Sequence, residues 1–124
     1  MLKPVTFTCS PNASAGDIRE QLRSDPVCVV VNEHGVVLGR VRQKDLPDDD
    51  DARVADFMRL GPSTVQRREE LSGLVERMRD KGVKTILVTT PKGELIGFLD
   101  RTDAERFLAA ARAAGVDEYE PTKG

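Results

Sequence analysis

The chain has 124 residues, the usual size of one domain, in which roughly two thirds of the unfolded surface can be buried. Charged side chains make up 32% of it yet leave a net charge of only −2, which implies neither a polybasic surface for nucleic acid nor a long acidic tail. No apolar run approaches the roughly 20 residues of a membrane helix, Met1-Leu2-Lys3-Pro4 opens no signal peptide, and the expected compartment is the cytoplasm.

Val5-Thr6-Phe7-Thr8-Cys9 is short, alternating and β-prone, and Ser10-Pro11-Asn12 stops it. Ser14 followed by Asp17 has capping-box spacing, and Ala15, Ile18 and Leu22 then share a helical face, giving a short amphipathic helix weakened by Gly16. Val27-Cys28-Val29-Val30-Val31 is too short for a helix and apolar enough to be a central strand covered on both faces. Asn32-Glu33-His34-Gly35 is turn chemistry, and Val36 to Val41 returns as a hairpin partner. His34, the sole histidine, has no acid, nucleophile or ligand cluster beside it in sequence, and it reads as an exposed turn residue. Cys9 and Cys28 are too few for a disulfide framework and read as reduced strand residues.

Leu46-Pro47 and the run Asp48 to Asp51 read as an exposed connection. Val54-Ala55-Asp56-Phe57-Met58 is expected to make one helical turn with Val54, Phe57 and Met58 inward, before Gly61-Pro62 breaks it. Then the order repeats. Ser63-Thr64-Val65 is a strand, and Leu71, Leu74, Val75 and Met78 form the stripe of a better helix. Thr85–Thr89 and Glu94–Leu99 form a second hairpin. Thr102 with Glu105 has capping-box spacing and is expected to start a last helix, lined by Ala104, Phe107, Leu108 and Ala111 and ended by Gly115, with a frayed tail from Asp117. Arg67, Arg68, Arg77, Arg79 and Lys81 give this half some basic surface.

The repeat has a register. Gly35 and Gly93, Gly39 and Gly97, and Asp45 and Asp103 are each 58 positions apart, while the helices align at 56 (Ala15 with Leu71). The ordered duplication, the glycine-punctuated hairpins, the Val54 to Met58 connector and the two Gly-x-x-x-x-x-Asp endings together resemble a tandem pair of cystathionine-β-synthase (CBS) motifs, a Bateman module. The resemblance covers about Val5 to Leu108. It implies an α+β fold of two β-α-β-β-α motifs packed about a pseudo-twofold axis, in one module: motif 1 at about 5–46, linker 47–62, motif 2 at 63–114 and a tail 115–124. It also implies clefts for adenosine-containing ligands such as AMP, ATP or S-adenosylmethionine, and regulation of a partner protein without chemistry of its own.

The family's ligand signature is Gly-hydrophobic-hydrophobic-Thr/Ser-x-x-Asp, whose aspartate takes ribose hydroxyls. Asp45 and Asp103 match it. The Thr/Ser position is Arg42 in the first copy and Asp100 in the second, and Arg40 is a further polar departure. A carboxylate is acceptor-only and suits vicinal hydroxyls, so both aspartates remain competent for ribose. Arg42, with Arg40 or Lys44 nearby, offers cations to a phosphate. Asp100 repels one, so the second copy is expected to take a nucleoside without phosphate, a cation, or nothing. The alternative is a ligand-free interaction module in which Arg42 and Asp100 are solvated or mutually paired and Asp45 and Asp103 only start helices. A homodimer is expected through the terminal helix, where Ala109, Ala110, Ala111, Ala113 and Ala114 permit close approach.

Overall fold

A computed structural model describes residues 2–61, 64–66 and 70–115. Ser63, Arg67, Arg68 and the tail from Asp117 lie outside the described residues. The described residues form two compact units: those of Val5–Pro62 with Lys92–Leu95, and those of Met1–Pro4, Ser63–Pro91 and Ile96–Gly124. We call them the first and second units.

In the first unit, β1 (Thr8–Cys9) pairs parallel with β2 (Val27–Val31), and β2 pairs antiparallel with β3 (Val37–Arg42). A parallel pair needs a crossover, and α1 (Ala15–Arg19) supplies it. The Ser14–Asp17 box is present: Asp17 N–H donates to Ser14 Oγ at 3.3 Å and Ser14 N–H to Asp17 Oδ2 at 3.0 Å. The helix is shorter than its apolar face, because Leu22 arrives on a following 3-10 turn (Gln21–Arg23). Ala15, Ile18 and Leu22 are nonetheless all buried, Ile18 and Leu22 in one core with Cys28, Val30, Val41 and Val54. Strand β2 is interior, with Cys28, Val29 and Val30 all buried, as an uninterrupted apolar run requires. Both cysteines are free thiols.

Two features of the expected connection are more ordered than its composition implies. Arg19 donates to the Pro47 carbonyl at 2.7 Å and to Asp50 Oδ1 at 2.9 Å, and Gly16 N–H donates to the Asp50 carbonyl at 3.0 Å, so the aspartate run is solvated but its backbone is tied to α1. After α2 (Val54–Phe57), Arg59–Leu60 forms β4, an edge strand antiparallel to β3. Val54 is fully buried; Phe57 and Met58 are half-buried against the same core.

In the second unit, β5 (Thr64–Gln66) pairs parallel with β6 (Thr85–Thr89), and β7 (Leu95–Asp100) completes the sheet. The crossover α3 (Leu71–Asp80) buries Leu71, Leu74, Val75 and Met78 against Val88 and Leu99. The last helix, α4 (Arg101–Ala113), adds Ala104 and Leu108 to that core and stops at Gly115, whose φ of +79° suits glycine. Its start corrects the sequence expectation. The N-cap is Asp100, whose Oδ1 accepts the Asp103 N–H at 3.1 Å, so the helix begins ahead of Thr102. Glu105 faces Arg101 at 3.3 Å and Arg79 at 3.5 Å.

Candidate functional site

Both signature aspartates stand where a third strand turns into a helix, and the two turns differ for a chemical reason. Asp100 presents an acceptor oxygen to one of the first free amides of α4, that of Asp103, and the helix then runs for 13 residues. Aspartate and serine or threonine are alike in this respect, so replacing a hydroxyl by Asp100 keeps the cap. Arg42 has no acceptor to offer. There the chain makes only a 3-10 turn (Gln43–Asp45) before Pro47, which lacks an N–H. Asp45 covers the turn instead, accepting the Arg42 N–H on Oδ2 at 3.0 Å.

Each aspartate also meets a cation that reading the motif alone leaves out. Arg59 Nε lies 3.2 Å from Asp45 Oδ1, and Lys3 Nζ lies 2.7 Å from Asp103 Oδ2. The Asp45 carboxylate is 7% exposed while Arg59 is 66% exposed; Asp103 and Lys3 are 33% and 51% exposed. Burial is the largest single influence on Asp45 and pushes its pKa up. The Arg42 amide, Arg59 and Lys44 together outweigh burial and hold the carboxyl below its ordinary value. Asp103 is also lowered, chiefly by the Lys3 hydrogen bond, and Lys3 is raised in turn by Asp103.

The cations are delivered by strand pairing. Arg59 belongs to β4, which lies beside Gly39 and Arg40. Lys3 bridges to Phe98 in β7, its amide and carbonyl both bonded to Phe98, at 2.9 and 2.8 Å. A Cβ on Gly39 would stand 2.6 Å from the Arg59 carbonyl oxygen, and one on Gly97 would stand 2.6 Å from that of Lys3. The two repeated glycines therefore admit an edge segment, and that segment carries the cation to the aspartate. A sequence signal for this exists: Lys3 and Arg59 are 56 positions apart, the offset that aligns Ala15 with Leu71.

Among the remaining candidates, Arg40 and Arg42 are half-buried on β3 and Lys44 is exposed. Arg42 and Lys44 line a groove of about 380 Å³ with Leu22, Arg23, Ser24, Pro26 and Gln43; Asp45 is not among its lining residues. Arg23 thus joins the basic side chains that sequence reading grouped with Asp45. A second cleft, of about 590 Å³, lies at the carboxyl ends of β1 and β2, lined by Ser10, Asn12, Asn32 and Glu33 among others. His34 is exposed in its turn beside Glu33. No group of three or more His, Cys, Asp or Glu is placed to hold a metal among the described residues.

Two sheets of the same β-α-β-β order, each closed by an aspartate at its strand–helix junction, define a tandem CBS pair. A family model for the CBS domain matches residues 1–47 and 54–110, and the chain belongs to that family. A curated relative, the uncharacterised protein MK0525 of Methanopyrus kandleri, is 30% identical over 119 residues; the match takes in 84% of this chain and 60% of that protein's length. Solved structures share the fold. The CBS domains of a transcriptional regulator from Streptococcus pneumoniae superpose with a TM-score of 0.70 at 20% identity, over 86% of this chain and 93% of that one. A CBS domain pair/ACT domain protein from Thermotoga maritima gives 0.72 at 18%, over 89% and 93%. The cytosolic domain of the Mg2+ channel MgtE, in complex with ATP, gives 0.73 at 21%, over 87% and 47%.

Proposed function

We propose that the chain is a regulatory module that senses an adenosine-containing nucleotide and passes its occupancy to a partner protein or to its own oligomer in the cytoplasm. The observation that carries this reading is the recurrence of one arrangement: an aspartate at the strand–helix junction with a cation within 3.2 Å in one unit and 2.7 Å in the other. A carboxylate takes two ribose hydroxyls, and a cation takes a phosphate. In the first unit Asp45 is the ribose acceptor, with Arg40, Arg42 and Lys44 available for phosphate; in the second, Asp103 is the acceptor and Asp100 its neighbour. AMP, ATP and S-adenosylmethionine are the ligands to test, and the ATP complex of the MgtE cytosolic domain supports the choice. The exposed alanines of α4, Ala109, Ala110 and Ala113, are the proposed surface of a homodimer.

Titration calorimetry with AMP, ADP, ATP and S-adenosylmethionine tests this. Heat at micromolar to millimolar ligand, lost in Asp45→Ala or Asp103→Ala, is the expected result; no heat at millimolar ligand sinks it.

A second reading, an interaction module without a ligand, is favoured by one observation: both carboxylates already hold intrachain donors, at Arg42 and Arg59 and at Lys3. Its signature is a thermal midpoint indifferent to every nucleotide.

A further inference from the structure

We infer that Arg59 and Lys3 set ligand class at the two aspartates: Arg59 is the counterion that a diol must displace and Lys3 the one with which it competes, and each thereby selects phosphorylated ribosides over nucleosides. The inference rests on the nucleotide reading above and deepens it.

At Asp45 the approach is narrow. Oδ2 is taken by the Arg42 amide, Oδ1 by Arg59 Nε, and the carboxylate is 7% exposed, so ribose hydroxyls reach Oδ1 only as the guanidinium withdraws. At Asp103 the Lys3 ammonium sits on Oδ2 of a carboxylate that is 33% exposed, so a diol there competes with Lys3 for one oxygen of a more open group. Neither cation can leave altogether. Arg59 is anchored by the pairing of β4 with β3, and Lys3 by its two backbone bonds to Phe98, so a displaced head stays within a side-chain length of its aspartate.

The chemistry of the ligand then decides. A nucleoside replaces an ion pair by two neutral donors and leaves the cation without its anion. A ribose phosphate supplies the hydroxyls and the replacement anion together, and a guanidinium holds phosphate through paired, charge-assisted hydrogen bonds. In the second unit Lys3 contributes the positive charge that Asp100 alone would deny a phosphate. Its ammonium is a point charge, so the same selection operates there with less geometric demand.

The test compares AMP, adenosine and ribose 5-phosphate by calorimetry on the full chain, in the parent protein, Arg59→Ala, Arg59→Gln and Lys3→Ala. The parent is expected to prefer AMP over adenosine by about tenfold or more, the scale of one charge-assisted bond. In Arg59→Ala the two ligands should move in opposite directions, AMP weaker and adenosine tighter, so the preference shrinks about tenfold. Lys3→Ala should do the same for the second of two sites. Arg59→Gln keeps most of the stem and must show the same crossover, which separates the effect from loss of fold. Retained ribose 5-phosphate binding attributes selection to sugar and phosphate; its absence, with AMP bound and no crossover in the variants, attributes recognition to the base and overturns the inference. AMP binding with unchanged preference in the variants, or equal weakening of AMP and adenosine, overturns this inference and leaves the nucleotide reading intact. No binding of any ligand to any protein overturns both.

Discussion

Gly39 and Arg59 lie so close that a Cβ on the glycine would stand 2.6 Å from the Arg59 carbonyl oxygen, a distance no real Cβ keeps to a backbone atom. Gly97 has the same relation to Lys3. Gly39→Ala and Gly97→Ala should therefore push an edge segment off its sheet, at a cost of about 1–3 kcal/mol typical of overpacking. Gly73→Ala is the contrast, since Gly73 is exposed within α3 and nothing lies within 4 Å of its added methyl. It should stabilise by about 0.5–1 kcal/mol. Urea midpoints of the three variants check both signs.

Asp45→Ala removes the acceptor of the Arg42 amide together with the partner of Arg59. The expected loss is about 1–2 kcal/mol, or roughly 5 °C in thermal midpoint. Asp45→Asn keeps an acceptor oxygen and should recover part of it. If Ala and Asn variants melt together with the parent, Asp45 has no structural role, and its burial must be accounted for by a ligand alone.

The Lys3–Asp103 pair makes stability depend on pH at both ends. Asp103 is depressed, so its contribution is present above the unfolded carboxylate value of about 3.9 and is lost as pH falls through the folded value. Lys3 is raised, so its contribution is present below about 10.4 and is lost as pH rises through the folded value. Asp103→Asn should flatten the alkaline limb. It should only soften the acid limb, because Asp17, lowered chiefly by the Ser14 amide, and Asp45 are depressed as well. Denaturation series at roughly pH 2–6 and 9–11 read this out.

What could be read from the chain beforehand divides along a physical line. Local, periodic features were legible: the Ser14–Asp17 box, the buried Val27–Val31 strand and the Leu71 to Met78 stripe all depend on neighbours within one turn or one pleat. The Gly-x-x-x-x-x-Asp repeat marks the two strand–helix junctions and leaves out half of what surrounds their aspartates. The counterions of Asp45 and Asp103 come from Arg59, 14 positions on, and Lys3, 100 positions back, through strand pairings that no local pattern encodes. By pattern alone Gly39 and Gly97 group with the ligand signature. The carbonyl oxygens that crowd them require glycine at both positions.

The start of α4 gives the sharpest separation between sequence pattern and structure. Thr102 and Glu105 have the spacing of a capping box, yet Asp100 accepts the Asp103 amide and Glu105 pairs with Arg101 and Arg79. Asp100→Ala should therefore cost about 1 kcal/mol of stability, while Thr102→Ala, exposed and one residue inside the helix, should change it by less than about 0.5 kcal/mol. Asp100→Ser and Asp100→Thr restore a capping oxygen without the charge, and they restore the family's signature at the same time. They should keep the stability of the parent. With one negative charge removed beside Asp103 and Lys3, they should also bind AMP more tightly in the second unit than the parent does, by about fivefold if that charge acts at water-like dielectric from about 4 Å. Stability retained with unchanged AMP affinity would show that Asp100 serves the helix and nothing else.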